Sequence, residues 1–107
     1  MLNKLQSVAN RYEEIENRLY QPEVTTQPEL YQALMKEANQ LRPLIEVFTT
    51  YKGQQAALIE AQELLETEQD AELRQMAQEE WLCAKAAMEQ LENELRILLL
   101  PRDPNDD

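Results

Sequence analysis

Between Asp70 and Leu100, apolar or small residues recur three and four positions apart at Leu73, Ala77, Trp81, Ala84, Met88, Leu91, Leu95 and Leu98. That spacing places them on one stripe of a single continuous helix. At 1.5 Å rise per residue such a helix runs roughly 46 Å, longer than a small compact domain needs, so its neighbours must be long helices too. Pro101 ends it, because proline cannot extend the hydrogen-bond ladder and pushes Leu100 out of the helical region. The tail from Arg102 to Asp107 carries no apolar residue. With Pro101 it reads as a linker, residues 101–107, to a following domain absent from this chain.

Upstream the same period repeats twice. Leu2, Leu5, Val8, Tyr12, Ile15 and Leu19 mark a first helix over about residues 2–20, ending before Pro22. Residues 21–27 show no period and read as a connection. Thr26-Gln27-Pro28-Glu29 has the form of a capping box, with Pro28 in the first turn, where its missing N–H costs nothing. From there Leu30, Leu34, Leu41, Leu44, Phe48, Tyr51, Leu58 and Leu65 define a second helix over about 27–65, interrupted only at Glu37, Gln55 and Gln62. Pro43 inside it costs about 3 kcal/mol, yet the stripe keeps its phase from Leu41 to Leu44. One helix with a kink is therefore expected, and Gly53, costing roughly 1 kcal/mol relative to Ala, places the bend within 39–53. Thr67 or Asp70 can cap the third helix, over 70–100, which returns antiparallel to the second.

One glycine and sparse β-branched residues leave little turn or strand chemistry. The expectation is a single all-α domain over residues 1–100, an antiparallel three-helix bundle or hairpin with two long helices and one shorter N-terminal helix. Tyr12, Phe48, Tyr51, Trp81 and Met88 belong to its core. Cys83, lying mid-helix among apolar residues, is expected buried or half-buried, and as a lone cysteine it forms no internal disulfide. Leu82, Val47 and Ile59 fall off the main stripes and are candidates for contact with the first helix or for an uncovered apolar patch.

Composition excludes several function classes. A net charge of −11 with only ten Lys and Arg argues against nucleic-acid binding by this segment. The N-terminus lacks an apolar signal core, and no run of about 18 apolar residues offers a membrane span, which together point to a cytoplasmic protein. No histidine is present, so the commonest general base and transition-metal ligand are missing. One glycine permits no phosphate-cradling loop. Carboxylate pairs such as Glu13 with Glu16 and Glu89 with Glu92 share helix faces but form no metal constellation, and read as solvating pairs. No catalytic, cofactor or metal residue is assigned and no cofactor is expected. From Glu60 to Glu80 eight acidic residues face the single base Arg74, so the tip of the helical hairpin is a negative pole.

The run Leu98-Leu99-Leu100-Pro101-Arg102-Asp103-Pro104-Asn105-Asp106 resembles the segment joining the first and second domains in the bacterial peptide chain release factor 1 family. Asn10-Arg11-Tyr12-Glu13-Glu14-Ile15-Glu16 and Ala71-Glu72-Leu73-Arg74-Gln75-Met76-Ala77 are similar to that family's first and third helices. The resemblance covers essentially the whole chain and implies the helical first domain of a factor that acts in translation termination at stop codons. The family's codon-reading Pro-x-Thr and peptidyl-tRNA-hydrolysing Gly-Gly-Gln tripeptides belong to later domains, and neither occurs here. The chain is thus expected not to be an enzyme in itself. It is expected to position the factor on the ribosome near the stalk base, in reach of a translational GTPase, with Glu66, Glu68, Asp70 and Glu72 as partner-contact residues. Self-association of the isolated fragment is a further expectation, since helices of unequal length leave part of the longer pair uncovered. The competing reading is a free-standing acidic coiled-coil adaptor or chaperone. It shares every periodicity but has little need of the Pro-Arg-Asp-Pro exit.

Overall fold

A computed structural model describes residues 1–101. The expected linker therefore falls, from Arg102 onward, outside the described residues. The architecture is all-α, with helices α1 (Leu2–Arg18), α2 (Pro22–Thr25), α3 (Pro28–Thr67) and α4 (Ala71–Leu98). The chain forms two compact units that divide between Glu46 and Val47, inside α3.

In the first unit α1 ends one turn after the buried Ile15, where the Leu19 N–H donates to the Ile15 carbonyl at 3.0 Å. The expected connection then contains a helix of its own. Pro22 opens α2 with its ring at a position that needs no donor, and α2 carries Val24 into the core. Ile15, Val24, Leu34 and Ala38 form that core, with Tyr12, Leu19, Leu30 and Leu41 packed around it. The capping box expected at Thr26 is not formed. Its hydroxyl donates backwards to the Pro22 carbonyl at 2.6 Å, beside the Thr26 N–H that donates to the same oxygen at 3.1 Å, because α2 ends immediately before it. Arg11 crosses from α1 to α3 and holds Glu37 through two hydrogen bonds of 2.7 and 2.9 Å. Glu37 interrupts the apolar stripe because it answers that guanidinium.

Pro43 sits within a continuous 40-residue α3. The Asn39 carbonyl loses one helical donor there, while packing of Leu41 and Leu44 on either side holds the helix through the gap. The division between the two units falls four residues further on, within the stretch where the two helix defects were expected to act.

The second unit is a helical hairpin of the C-terminal part of α3 against α4. Its buried residues are Phe48, Tyr51, Ala61, Ala77, Ala84 and Leu95. Tyr51 donates its hydroxyl to Glu92 at 3.1 Å, which ties the two helices by a polar contact as well as by burial. Burial first, and the adjacent Glu92 carboxylate second, push the Tyr51 phenol above its ordinary range. Glu92 also lies 3.8 Å from Arg96, so it is more than half of a solvating pair. Asp70 is the N-cap of α4, accepting from the Leu73 N–H at 3.1 Å.

Three core expectations do not hold in this unit. Leu73 and Leu98, at the two ends of the α4 stripe, are exposed. Cys83 is exposed as well. It precedes the buried Ala84 by one residue and is therefore turned by about 100° from the seam. Trp81 and Met88 are half-buried, as Tyr12 is in the first unit, whereas Phe48 and Tyr51 are fully core. Ile59 and Leu82 are exposed and Val47 half-buried.

Candidate functional site

Two surfaces stand out, one in each unit. In the first, Glu16, Leu19, Tyr20, Thr25, Tyr31, Met35, Ala38 and Arg42 line a cleft of about 480 Å³. Tyr20 follows the last turn of α1 and is almost fully exposed. Arg42 is fixed at the cleft edge by hydrogen bonds to the Tyr12 hydroxyl at 3.4 Å and the Asn39 side-chain oxygen at 2.7 Å. The cleft offers aromatic edges and one cation, with no nucleophile activated by a neighbouring base.

The second surface is the hairpin tip, where the four acidic residues singled out from the sequence divide into two kinds. Glu68 accepts from the Gln69 and Asp70 backbone N–H groups, both at 3.2 Å, and is partly buried. Asp70 caps α4. These two carboxylates are engaged in closing the turn. Glu66 and Glu72 are exposed, Glu66 accepting only from Gln62 at 3.3 Å. Arg74, the lone base, donates to the Leu65 carbonyl and, at 3.1 Å, to that of Glu68. It answers the free carbonyls at the C-terminus of α3, so none of the tip carboxylates is paired with it in a salt bridge.

The same tip carries Leu73, which periodicity placed on the α4 stripe, together with two residues that no stripe included. Leu73 and Met76 on α4 and Leu64 on α3 are exposed large apolar residues. The signal that could have revealed them is their distance from the hairpin's middle, since helix ends lack a third element to cover them. Beyond the tip, the Trp81 indole N–H is shielded from solvent without an acceptor. Among the described residues no three His, Cys, Asp or Glu side chains are arranged to hold a metal ion. Among the described residues no helix is long and apolar enough to cross a membrane.

The fold thus defines an all-α protein whose two long helices pack against one another as a hairpin. Within that class the chain belongs to the PCRF domain family, whose model matches residues 8–107. It is 42% identical over all 107 residues to a protein of Caldicellulosiruptor bescii described as peptide chain release factor 1, covering 30% of that protein. It is 39% identical over the same length to peptide chain release factor 1 of Agathobacter rectalis, again covering 30% of that protein. In both the similarity falls in the N-terminal part. The chain therefore spans under a third of the length of these relatives. No solved structure matches it.

Proposed function

We propose that this chain is the N-terminal helical region of a class I peptide chain release factor that acts at stop codons. In this reading it positions the factor on the ribosome and contacts protein partners, while codon reading and peptidyl-tRNA hydrolysis belong to the rest of the factor. The observation that carries the reading is full-chain identity of 39 to 42% with two proteins described as peptide chain release factor 1. The absence of both Gly-Gly-Gln and Pro-x-Thr from the sequence agrees with it. The partners are the ribosome near its stalk base, reached as part of the intact factor, and a translational GTPase working there.

The acidic tip is the contact surface in this reading. Glu66 and Glu72 present their charge outward, while Glu68 and Asp70 hold the turn that presents it. The test is reconstituted termination with the full-length factor. Stop-codon-dependent peptide release by the wild type is expected, and its absence would overturn the termination reading. Glu66→Lys with Glu72→Lys is expected to weaken ribosome binding at low salt and to leave release at saturating factor unchanged. Unchanged binding would remove the contact role from these residues.

A further inference from the structure

Ala61 and Ala77, 0% and 2% exposed, mark the seam where α3 and α4 face each other near the tip. Each helix residue advances by about 100°, so Leu64 sits about 60° behind Ala61, Leu73 about 40° behind Ala77, and Met76 about 100° behind it. In an antiparallel pair the same rotational sense leads to the same side of both helices. All three side chains therefore share one side of the hairpin, at the same height. They are 39%, 49% and 60% exposed. The same rule places Glu60 and Glu80, about 100° and about 60° behind their seam alanines, on that side beside the three apolar residues, and turns Glu72, Glu63 and Glu79, about 140–160° behind, onto the back. Arg74 falls to the opposite side and is engaged with the α3 carbonyls.

We propose that this side of the tip is a docking surface for a basic protein segment, one that seats apolar side chains on Leu64, Leu73 and Met76 and sets Lys or Arg against Glu60 and Glu80. The proposal rests on the release-factor reading only for where the partner is met, which is on the ribosome. Charge selects the occupant. A second copy brings the same carboxylates and the same net charge of −11, and nucleic acid or an anionic membrane brings phosphates. Each is repelled, whereas a cationic protein surface is attracted and then held by the apolar contact. An apolar patch rimmed by charge is the usual form of a specific protein contact, with the rim setting the association rate and the centre the lifetime.

The test uses the full-length factor and a synthetic amphipathic helix with leucines on one face and lysines on the other. The variant Leu64→Gln, Leu73→Gln, Met76→Gln changes only exposed side chains, and circular dichroism verifies its helicity. It is expected to bind the peptide ~10-fold or more weakly, the scale of losing an anchoring contact. Glu60→Lys with Glu80→Lys is expected to weaken binding in a salt-dependent way. Glu63→Lys with Glu79→Lys, which makes the same change in net charge on the back, is expected to stay within about 2-fold, as for charges outside the contact. Equal binding by the apolar variant, or equal losses from rim and back, overturns the proposal. On stop-codon ribosomes, a photo-crosslinker replacing Met76 is expected to reach a Lys- and Arg-rich protein segment, and one replacing Leu82 is not. Crosslinking from Met76 to RNA or to a second copy overturns it. Failure of the wild type to release peptide defeats the termination reading, while the peptide measurement judges the docking surface independently.

Discussion

The two units use different side chains to hold the same long helix. In residues 1–46, α3 is met by two other helices and buries branched aliphatic side chains among them, with Ile15, Val24 and Leu34 almost wholly removed from water. From Val47 on it pairs with α4, and at the tip end the seam is made of alanines, Ala61 and Ala77, with Ala84 beyond. A buried Ile or Leu stabilises by about 1.5–3 kcal/mol, and an alanine methyl contributes only a fraction of that. The first unit is thus built for cohesion. The second extends a narrow seam that leaves large side chains exposed on both of its helices, a form suited to presenting a surface. Ion pairing follows the same division. The first unit links α1 to α3 by the two-pronged Arg11–Glu37 pair, whereas the base at the tip caps a helix and forms no salt bridge with the tip carboxylates.

The contrast predicts unequal sensitivity to truncation. Ile15→Ala removes three buried carbons beside Val24 and Leu34 and is expected to cost about 2–5 kcal/mol in urea unfolding. Leu73→Ala, at a nearly half-exposed position, is expected to change the midpoint little. A comparable loss for both would break the distinction between the units. Asp70→Ala comes next, because α4 then starts without an acceptor for the Leu73 N–H, and about 1 kcal/mol is expected. Hydrogen exchange of the first-turn amides of α4 checks where the loss falls. If protection drops evenly through α1 as well, the tip is not the separate low-stability end that the alanine seam implies.

Much of this was legible beforehand. The stripes locate α1, α3 and α4, and the phase kept across Pro43 correctly implies one helix. Periodicity identifies the inward face but not whether anything stands opposite it at a given height. For that reason Leu73 and Leu98 had the right phase and no cover. Val24 was missed because a single helical turn is too short to show a period, although Pro22 and Glu23 are ordinary helix-starting residues. Thr26 matched a capping pattern, but the Pro22 carbonyl of α2 competes for its hydroxyl, and only the fold reveals that competitor. At the tip, the excess of charge can be counted from the sequence. Which carboxylates close the turn, and where Arg74 directs its donors, depends on atomic positions.

A smaller effect sharpens the comparison inside α3. Gly53 is exposed, and a Cβ built there meets nothing within 4 Å. Gly53→Ala should therefore raise stability by about 0.5–1 kcal/mol, by restricting the unfolded chain and removing a weak helix former. A gain confined to exchange of neighbouring amides would locate the weakness in the second unit. A gain shared by the amides of α1 would show that the two units unfold together.

The smallest expected effect concerns the Arg11–Glu37 pair, whose side chains are each 37% exposed and screened by solvent. The hydrogen bonds from Arg11, and then its charge, hold the Glu37 carboxyl below the usual carboxylate range against a partial opposing effect of burial. A carboxyl whose folded pKa lies below its unfolded one stabilises the fold above the unfolded value, and that contribution disappears as pH falls through the folded value. The stability difference between wild type and Glu37→Gln should therefore be constant near neutrality and shrink in acid, below about pH 4.3, the ordinary glutamate value. Added salt should reduce it at neutral pH, since the pair is open to solvent. A difference that persists undiminished in acid would mean that Glu37 acts through shape and hydrogen bonding alone, and the charge link between α1 and α3 would no longer distinguish the first unit from the second.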